Sequence, residues 1–134
     1  MEVTYLLSEI DTVAQKLLER SGSKTLLFYG EMGAGKTTLI KALLKALGAV
    51  DIGSSPTFSL VNVYETENGT VNHFDFYRIN DESEAWDMGF EEYLESGNWN
   101  FIEWPQKIQN FIEEGDQKVE ILILENELRK LKFC

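Results

Sequence analysis

The sequence predicts one α/β domain over residues 1–134, built on a mixed parallel and antiparallel sheet. Three observations lead there. Thr25-Leu26-Leu27-Phe28-Tyr29 is an unbroken apolar run, as a strand covered on both faces requires. Helical spacing brackets it, with Ile10, Val13, Ala14, Leu17 and Leu18 before and Leu39, Leu43, Leu44 and Leu47 after. Asn68-Gly69 joins two strand-like segments with a strong hairpin signal, which demands antiparallel pairing as well.

The elements follow in order. Residues 3–7 read as a short strand, and Ser8 as the N-cap of the first helix, with Asp11 in its first turn. Ser21-Gly22-Ser23 ends that helix. The strand at Thr25–Tyr29 enters a glycine-rich loop, and the next helix stops at Gly48. Residues 51–58 form a polar connection marked by Gly53 and Pro56. Residues 59–66 and 70–78 are the hairpin strands, and short helices occupy parts of 81–95. Residues 99–104 form a strand stopped by Pro105, and a helix runs on to about Glu114. Residues 119–124 and 128–133 close the chain as a strand pair. No linker, repeat or low-complexity segment interrupts this pattern.

Composition narrows the function. A 43% hydrophobic, 12% aromatic chain is globular rather than disordered. The formal net charge of −11 argues against strong direct nucleic-acid binding, which needs cations to displace counterions from phosphates. Asp81, Glu82, Glu84, Asp87, Glu91, Glu92 and Glu95 fall in a stretch without Lys or Arg. That stretch is either a solvated face or a docking surface for a basic protein. The only cysteine, Cys134, allows no internal disulfide, no apolar run is long enough for a membrane span, and the N-terminus lacks a signal-peptide pattern. A cytoplasmic protein is expected.

Gly30-Glu31-Met32-Gly33-Ala34-Gly35-Lys36-Thr37 matches G-x-x-x-x-G-K-[ST], with a strand before it and a helix after it. Glycines let backbone N–H groups of Glu31, Met32, Gly33, Ala34 and Gly35 curl around phosphate oxygens, and the following helix adds its positive dipole end. Lys36 reaches the β- and γ-phosphates, the Thr37 hydroxyl suits magnesium, and Thr38 offers a further phosphate contact. ATP and Mg2+ are therefore the expected ligands. With this motif the fold class becomes a three-layer, P-loop NTPase-like α/β domain.

Such a site also needs acids for the metal and the attacking water. In 71–78 the residues His73, Asp75 and Tyr77 alternate with Phe74 and Phe76. Asp75 is either a metal-side acid or a solvent-facing aspartate. Glu103 ends the strand at 99–104, where open α/β sheets form their ligand crevice, and is otherwise a surface acid. Trp104 beside it packs over the site or into the core. His73, taken singly, reads as a structural histidine. Ser54-Ser55-Pro56-Thr57 is either a switch segment sensing the γ-phosphate or a plain turn.

Together these segments resemble the TsaE (YjeE) family. The resemblance rests on Gly30–Thr38, Ser55-Pro56-Thr57-Phe58-Ser59-Leu60-Val61, His73-Phe74-Asp75-Phe76-Tyr77-Arg78, Met88-Gly89-Phe90 and Ile102-Glu103-Trp104-Pro105-Gln106. It implies an ATPase required for N6-threonylcarbamoyladenosine (t6A) modification of tRNA, acting on a complex of TsaD and TsaB. It also implies roles: Asp75 as a Walker-B-type acid, Glu103 as a magnesium-associated acid, Trp104 as a functional tryptophan and Thr57 in a switch. Thr12 and Arg129 fall where the family contacts the base side of the nucleotide. Catalysis would then rest on Lys36, Asp75, Glu103 and Thr57, and metal binding on Thr37, Glu103 and Asp75. Hydrolysis is expected to be slow without partners, because the motifs contain no evident arginine finger; Arg78 is one candidate.

The main rival is a small-molecule P-loop kinase. Such enzymes bring several arginines to the transferring group, and this chain has only Arg20, Arg78 and Arg129. A GTPase-like switch lacks its N-K-x-D segment here. A non-catalytic nucleotide-binding adaptor fits less well, because both Asp75 and Glu103 are present.

Overall fold

A computed structural model describes residues 1–53 and 60–134. Among these residues seven strands form one sheet: β1 (Glu2–Leu6), β2 (Thr25–Tyr29), β3 (Val61–Thr66), β4 (Gly69–Asp75), β5 (Trp99–Glu103), β6 (Gln117–Glu125) and β7 (Leu128–Phe133). Their spatial order is β1-β7-β6-β2-β5-β4-β3. β6, β2, β5 and β4 run parallel, while β7 and β3 pair antiparallel to their neighbours. The mixed sheet is thus as expected, with β2 at its centre.

Register assigns the two faces. Leu26 and Phe28 of β2, Phe101 of β5 and Val71 of β4 point to one side, and Leu27, Ile102 and Phe74 to the other. The first face is covered by α1 (Ile10–Arg20) and α2 (Lys36–Ala46) through Val13, Leu17, Leu39 and Leu43. The second is covered by α3 (Ser83–Asp87), α4 (Phe90–Glu95) and the 3₁₀ segment Pro105–Phe111. Three layers result. On the second face Phe90 meets Phe74 and Phe76 edge-to-face, with ring centroids 4.8 and 5.0 Å apart, a geometry that aligns the rings' opposite partial charges.

Several boundaries differ from the sequence expectation. The segment after Pro105 is 3₁₀ rather than α and ends at Phe111, with Ile108 outside helical geometry. Two short turns meet at this kink, and Pro105, Ile108 and Phe111 are buried there. β4 stops at Asp75 rather than Arg78. There the Asp75 Oδ1 accepts the Tyr77 N–H at 3.0 Å, a local turn that competes with the strand. Ser8 does not cap α1. Leu7–Glu9 first make a 3₁₀ turn, held by the Leu6 N–H donating to Glu9 Oε1 at 2.8 Å.

Part of the acidic stretch is spent on structure. Glu82 accepts from the backbone and side chain of Asn110, and Glu84 accepts the N–H groups of Asn80 and Asp81. Asp87, Glu91, Glu92 and Glu95 remain exposed. No helix of the described residues is long and apolar enough to cross a membrane.

Candidate functional site

The parallel strands β2, β5 and β4 all deliver their C-terminal ends to one edge of the sheet, where open α/β sheets bind ligands. β2 runs straight into Gly30, and α2 begins six residues later at Lys36. Gly35, with φ 104°, caps α2 in the left-handed region that side chains disfavour. A Cβ on Gly30 would lie 3.0 Å from the Ile121 carbonyl oxygen of β6, so the loop needs glycine there for close approach. A cavity of about 420 Å³ opens above this edge.

Lys36 is 5% exposed, and its Nζ donates to the Gly30 carbonyl at 2.6 Å. The same ammonium lies 3.7 Å from the centroid of the Trp104 ring. Burial lowers its pKa, and the carboxylates of Glu103 and Asp75 push the other way. Trp104 reaches this position from a left-handed backbone, φ 59° and ψ 51°, directly before Pro105. A non-glycine residue held there is strained by about 1–3 kcal/mol, so its surroundings must fix it. Tyr77 packs against its ring, with centroids 5.0 Å apart.

Glu103 ends β5 and is 3% exposed. The Thr37 hydroxyl donates to its Oε1 and Oε2 at 3.0 and 3.2 Å. His73 Nε2 lies 2.6 Å from Oε2. Asp75 is directly opposite Glu103 in the β4–β5 register. Burial raises the Asp75 pKa, the Tyr77 N–H lowers it, and nearby Glu103 raises it further. One side of the cavity is thus cationic at Lys36 and the other acidic at Glu103 and Asp75.

Among the described residues no group of three or more His, Cys, Asp and Glu is arranged to hold a metal. A magnesium ion at a phosphate site needs no such cage, since it binds through one or two protein oxygens, phosphates and water. The Thr37 hydroxyl and the Glu103 and Asp75 carboxylates supply hard oxygen donors that fit it.

Met32, Gly33, Gly35, Lys36, Thr37 and Thr38 line the cavity, and so do Asp75, Glu103 and Trp104 from the other side. Glu31 is exposed and contributes its carbonyl to the Ala34 N–H at 3.0 Å. Ala34 is buried, and its carbonyl accepts Arg129 Nε at 3.0 Å. Arg129 therefore braces the loop from β7 instead of lining the cavity, and its Nη1 also donates to three carbonyls of the β6–β7 turn. Thr12 is exposed on α1 and is not among the residues lining the cavity. Thr57 and the rest of Ser54-Ser55-Pro56-Thr57 fall outside the described residues.

His73, read from the sequence as a structural histidine, is buried and touches Glu103 directly. The sequence placed His73 and Asp75 on one face of a strand, and the structure sets that strand beside the one carrying Glu103. Tyr77 and Arg78 also reach the cavity, from the turn that replaces the end of the expected strand.

Comparison with known proteins identifies the family. A family model described as threonylcarbamoyl adenosine biosynthesis protein TsaE matches residues 6–131. The tRNA threonylcarbamoyladenosine biosynthesis protein TsaE of Haemophilus influenzae is 36% identical over 110 residues, covering 81% of this chain and 70% of its own. The Aquifex aeolicus protein of the same name is 38% identical over 134 residues, covering 98% and 89%. The crystal structure of Bacillus subtilis YdiB superposes with a TM-score of 0.74 at 22% identity, over 99% of this chain and 84% of that one, and so shares the fold. The strand-loop-helix, the acids facing it and the match over residues 6–131 have one conclusion: the chain belongs to the TsaE family of tRNA threonylcarbamoyladenosine biosynthesis proteins.

Proposed function

We propose that this protein is a cytoplasmic, magnesium-dependent ATPase that serves t6A formation on tRNA by acting on the TsaD–TsaB complex. The observation that carries the hydrolytic reading is the convergence of Thr37 and Glu103, 3.0 and 3.2 Å apart, beside the Lys36 ammonium.

The amides of Gly33, Gly35 and the first turn of α2 bind the phosphate tail, where helix N-termini favour anions. Lys36 exchanges its contacts with the Gly30 carbonyl and the indole for phosphate oxygens. That exchange adds phosphate charge to the carboxylates of Glu103 and Asp75 already acting on the buried cation. Thr37 and Glu103 would hold magnesium, with Asp75 helping from the adjoining strand directly or through water. The bound ion would neutralise charge on the phosphate oxygens. Arg78 lines the same cavity and can approach the leaving phosphates from its rim. The net charge of −11 suits a protein that leaves tRNA contact to its partners.

The test is phosphate release in the presence and absence of TsaD and TsaB, with candidate small-molecule acceptors supplied. Phosphate passing to water, faster with the partners and absent in Lys36→Ala, is the expected result. A phosphorylated acceptor would identify a kinase instead. Reconstituted tRNA modification with Glu103→Ala tests the pathway assignment: it should fall to the level seen without this protein.

A further inference from the structure

His73 and Glu103 are buried together, 2% and 3% exposed, with His73 Nε2 2.6 Å from Glu103 Oε2. Their strands are parallel, with His73 opposite Phe101 and Asp75 opposite Glu103. His73 is therefore the diagonal neighbour of Glu103 on the same face, within reach of a ring but not of a short side chain. Both carboxylate oxygens lie within hydrogen-bond reach of the Thr37 hydroxyl, and one of them also meets His73. Oε2 meets the imidazole, while Oε1 makes the shorter contact with the Thr37 hydroxyl, 3.0 Å against 3.2 Å. With Glu103 ionised, as a magnesium ligand is, its carboxylate only accepts hydrogen bonds, and the ring then presents Nε2–H to it.

We propose that His73 is a positioning residue for Glu103. Its Nε2–H pins Oε2 and turns Oε1 toward Thr37 and the phosphate edge of the cavity. This rests on the reading of Thr37 and Glu103 as the magnesium-binding pair. A glutamate has three side-chain torsions, and a metal site gains affinity when its ligand's rotamer is fixed beforehand. The buried imidazole supplies that restraint from the strand that also carries Asp75. A histidine that merely filled the core would act on stability and on nucleotide binding in general. A positioning histidine acts on the metal.

The experiment uses a fluorescent ADP analogue as probe, titrated at rising Mg2+ and in EDTA, on the wild-type chain, His73→Leu and His73→Gln, with melting curves for each. Glutamine can bring an amide N–H to the place of Nε2–H, whereas leucine cannot. In EDTA all three should bind the probe equally. His73→Leu should need about 10- to 100-fold more Mg2+ for half-saturation, and His73→Gln should recover most of that. A folded His73→Leu with the wild-type Mg2+ requirement overturns the assignment. So does a loss of affinity that is the same with and without the metal. Should His73→Leu not fold, side-chain ¹⁵N spectra of the wild-type protein decide. A proton on Nε2 supports the assignment and a bare Nε2 overturns it. A wild-type chain that binds the probe with no Mg2+ dependence would instead remove the magnesium reading beneath it.

Discussion

The Lys36 ammonium sits 3.7 Å from the centroid of the Trp104 ring, joining the glycine-rich loop to the end of β5 across the cavity. On the proposed reading, the contact ties the phosphate-binding cation to a fluorophore. Nucleotide binding draws the ammonium away from the indole, so Trp104 emission should change on addition of ATP. Trp86 and Trp99 do not line this cavity, and Trp104→Phe should abolish most of the response while binding persists. Titration of both proteins by fluorescence and calorimetry checks this. An undiminished response in Trp104→Phe would locate the reporter elsewhere.

Glu103→Gln keeps the shape of the side chain and an oxygen for Thr37 but removes the charge. Loss of several kcal/mol of charge stabilisation in the transition state corresponds to a fall in turnover of about 10²- to 10³-fold. Binding of ATP in EDTA should be unaffected. Steady-state phosphate release measures the first quantity and calorimetry the second.

Asp75 gives a pH-dependent prediction of opposite sign to most acids. Burial raises its pKa in the folded protein, so the ionised form opposes folding. The folded state holds the proton at pH values where the unfolded chain has lost it. Its contribution to the stability of the nucleotide-free protein is therefore most favourable below the usual aspartate range and is lost as pH rises through the raised pKa. Asp75→Asn retains an oxygen for the Tyr77 N–H and should raise the melting temperature at neutral pH, with the gain vanishing in acid. The same variant should weaken Mg2+-dependent nucleotide binding. Melting curves across pH test the first part; a lower melting temperature at pH 7 would contradict it.

Arg129 holds the loop from outside the cavity, through Ala34 and the carbonyls of the β6–β7 turn. Arg129→Met should destabilise the chain by about 1.5–3 kcal/mol, the range for a hydrogen bond to a charged group. ATP affinity should fall as well, because the loop loses its brace, and denaturant unfolding with and without ATP separates the two effects. Unchanged stability would show that the brace carries no energy.

The sequence carried the fold where local pattern and burial coincide. The run Thr25–Tyr29 had to be a central strand, and the heptad-like leucines of α2 had to face it. It was less legible where side chains compete with backbone pairing. Asp75 ends β4 by taking the Tyr77 N–H, and period-two alternation alone continued that strand to Arg78. Lys36 and Thr37 could be read because a contiguous loop specifies its own shape. The pairing of Thr37 with Glu103 spans 66 residues, and His73 with Glu103 spans 30. Such contacts depend on strand order, which no local pattern encodes. The resemblance gave Arg129 a place on the base side of the nucleotide, and its grip on the loop backbone is a contact that only the fold displays.

Calorimetric titration of the chain with ATP, in Mg2+ and again in EDTA, tests the central claim most directly. Saturable binding at one site per chain, at least about tenfold tighter with Mg2+ and lost in Lys36→Ala, is the predicted result. Equal affinity with and without the metal, or no binding heat corroborated by unchanged melting, would contradict it.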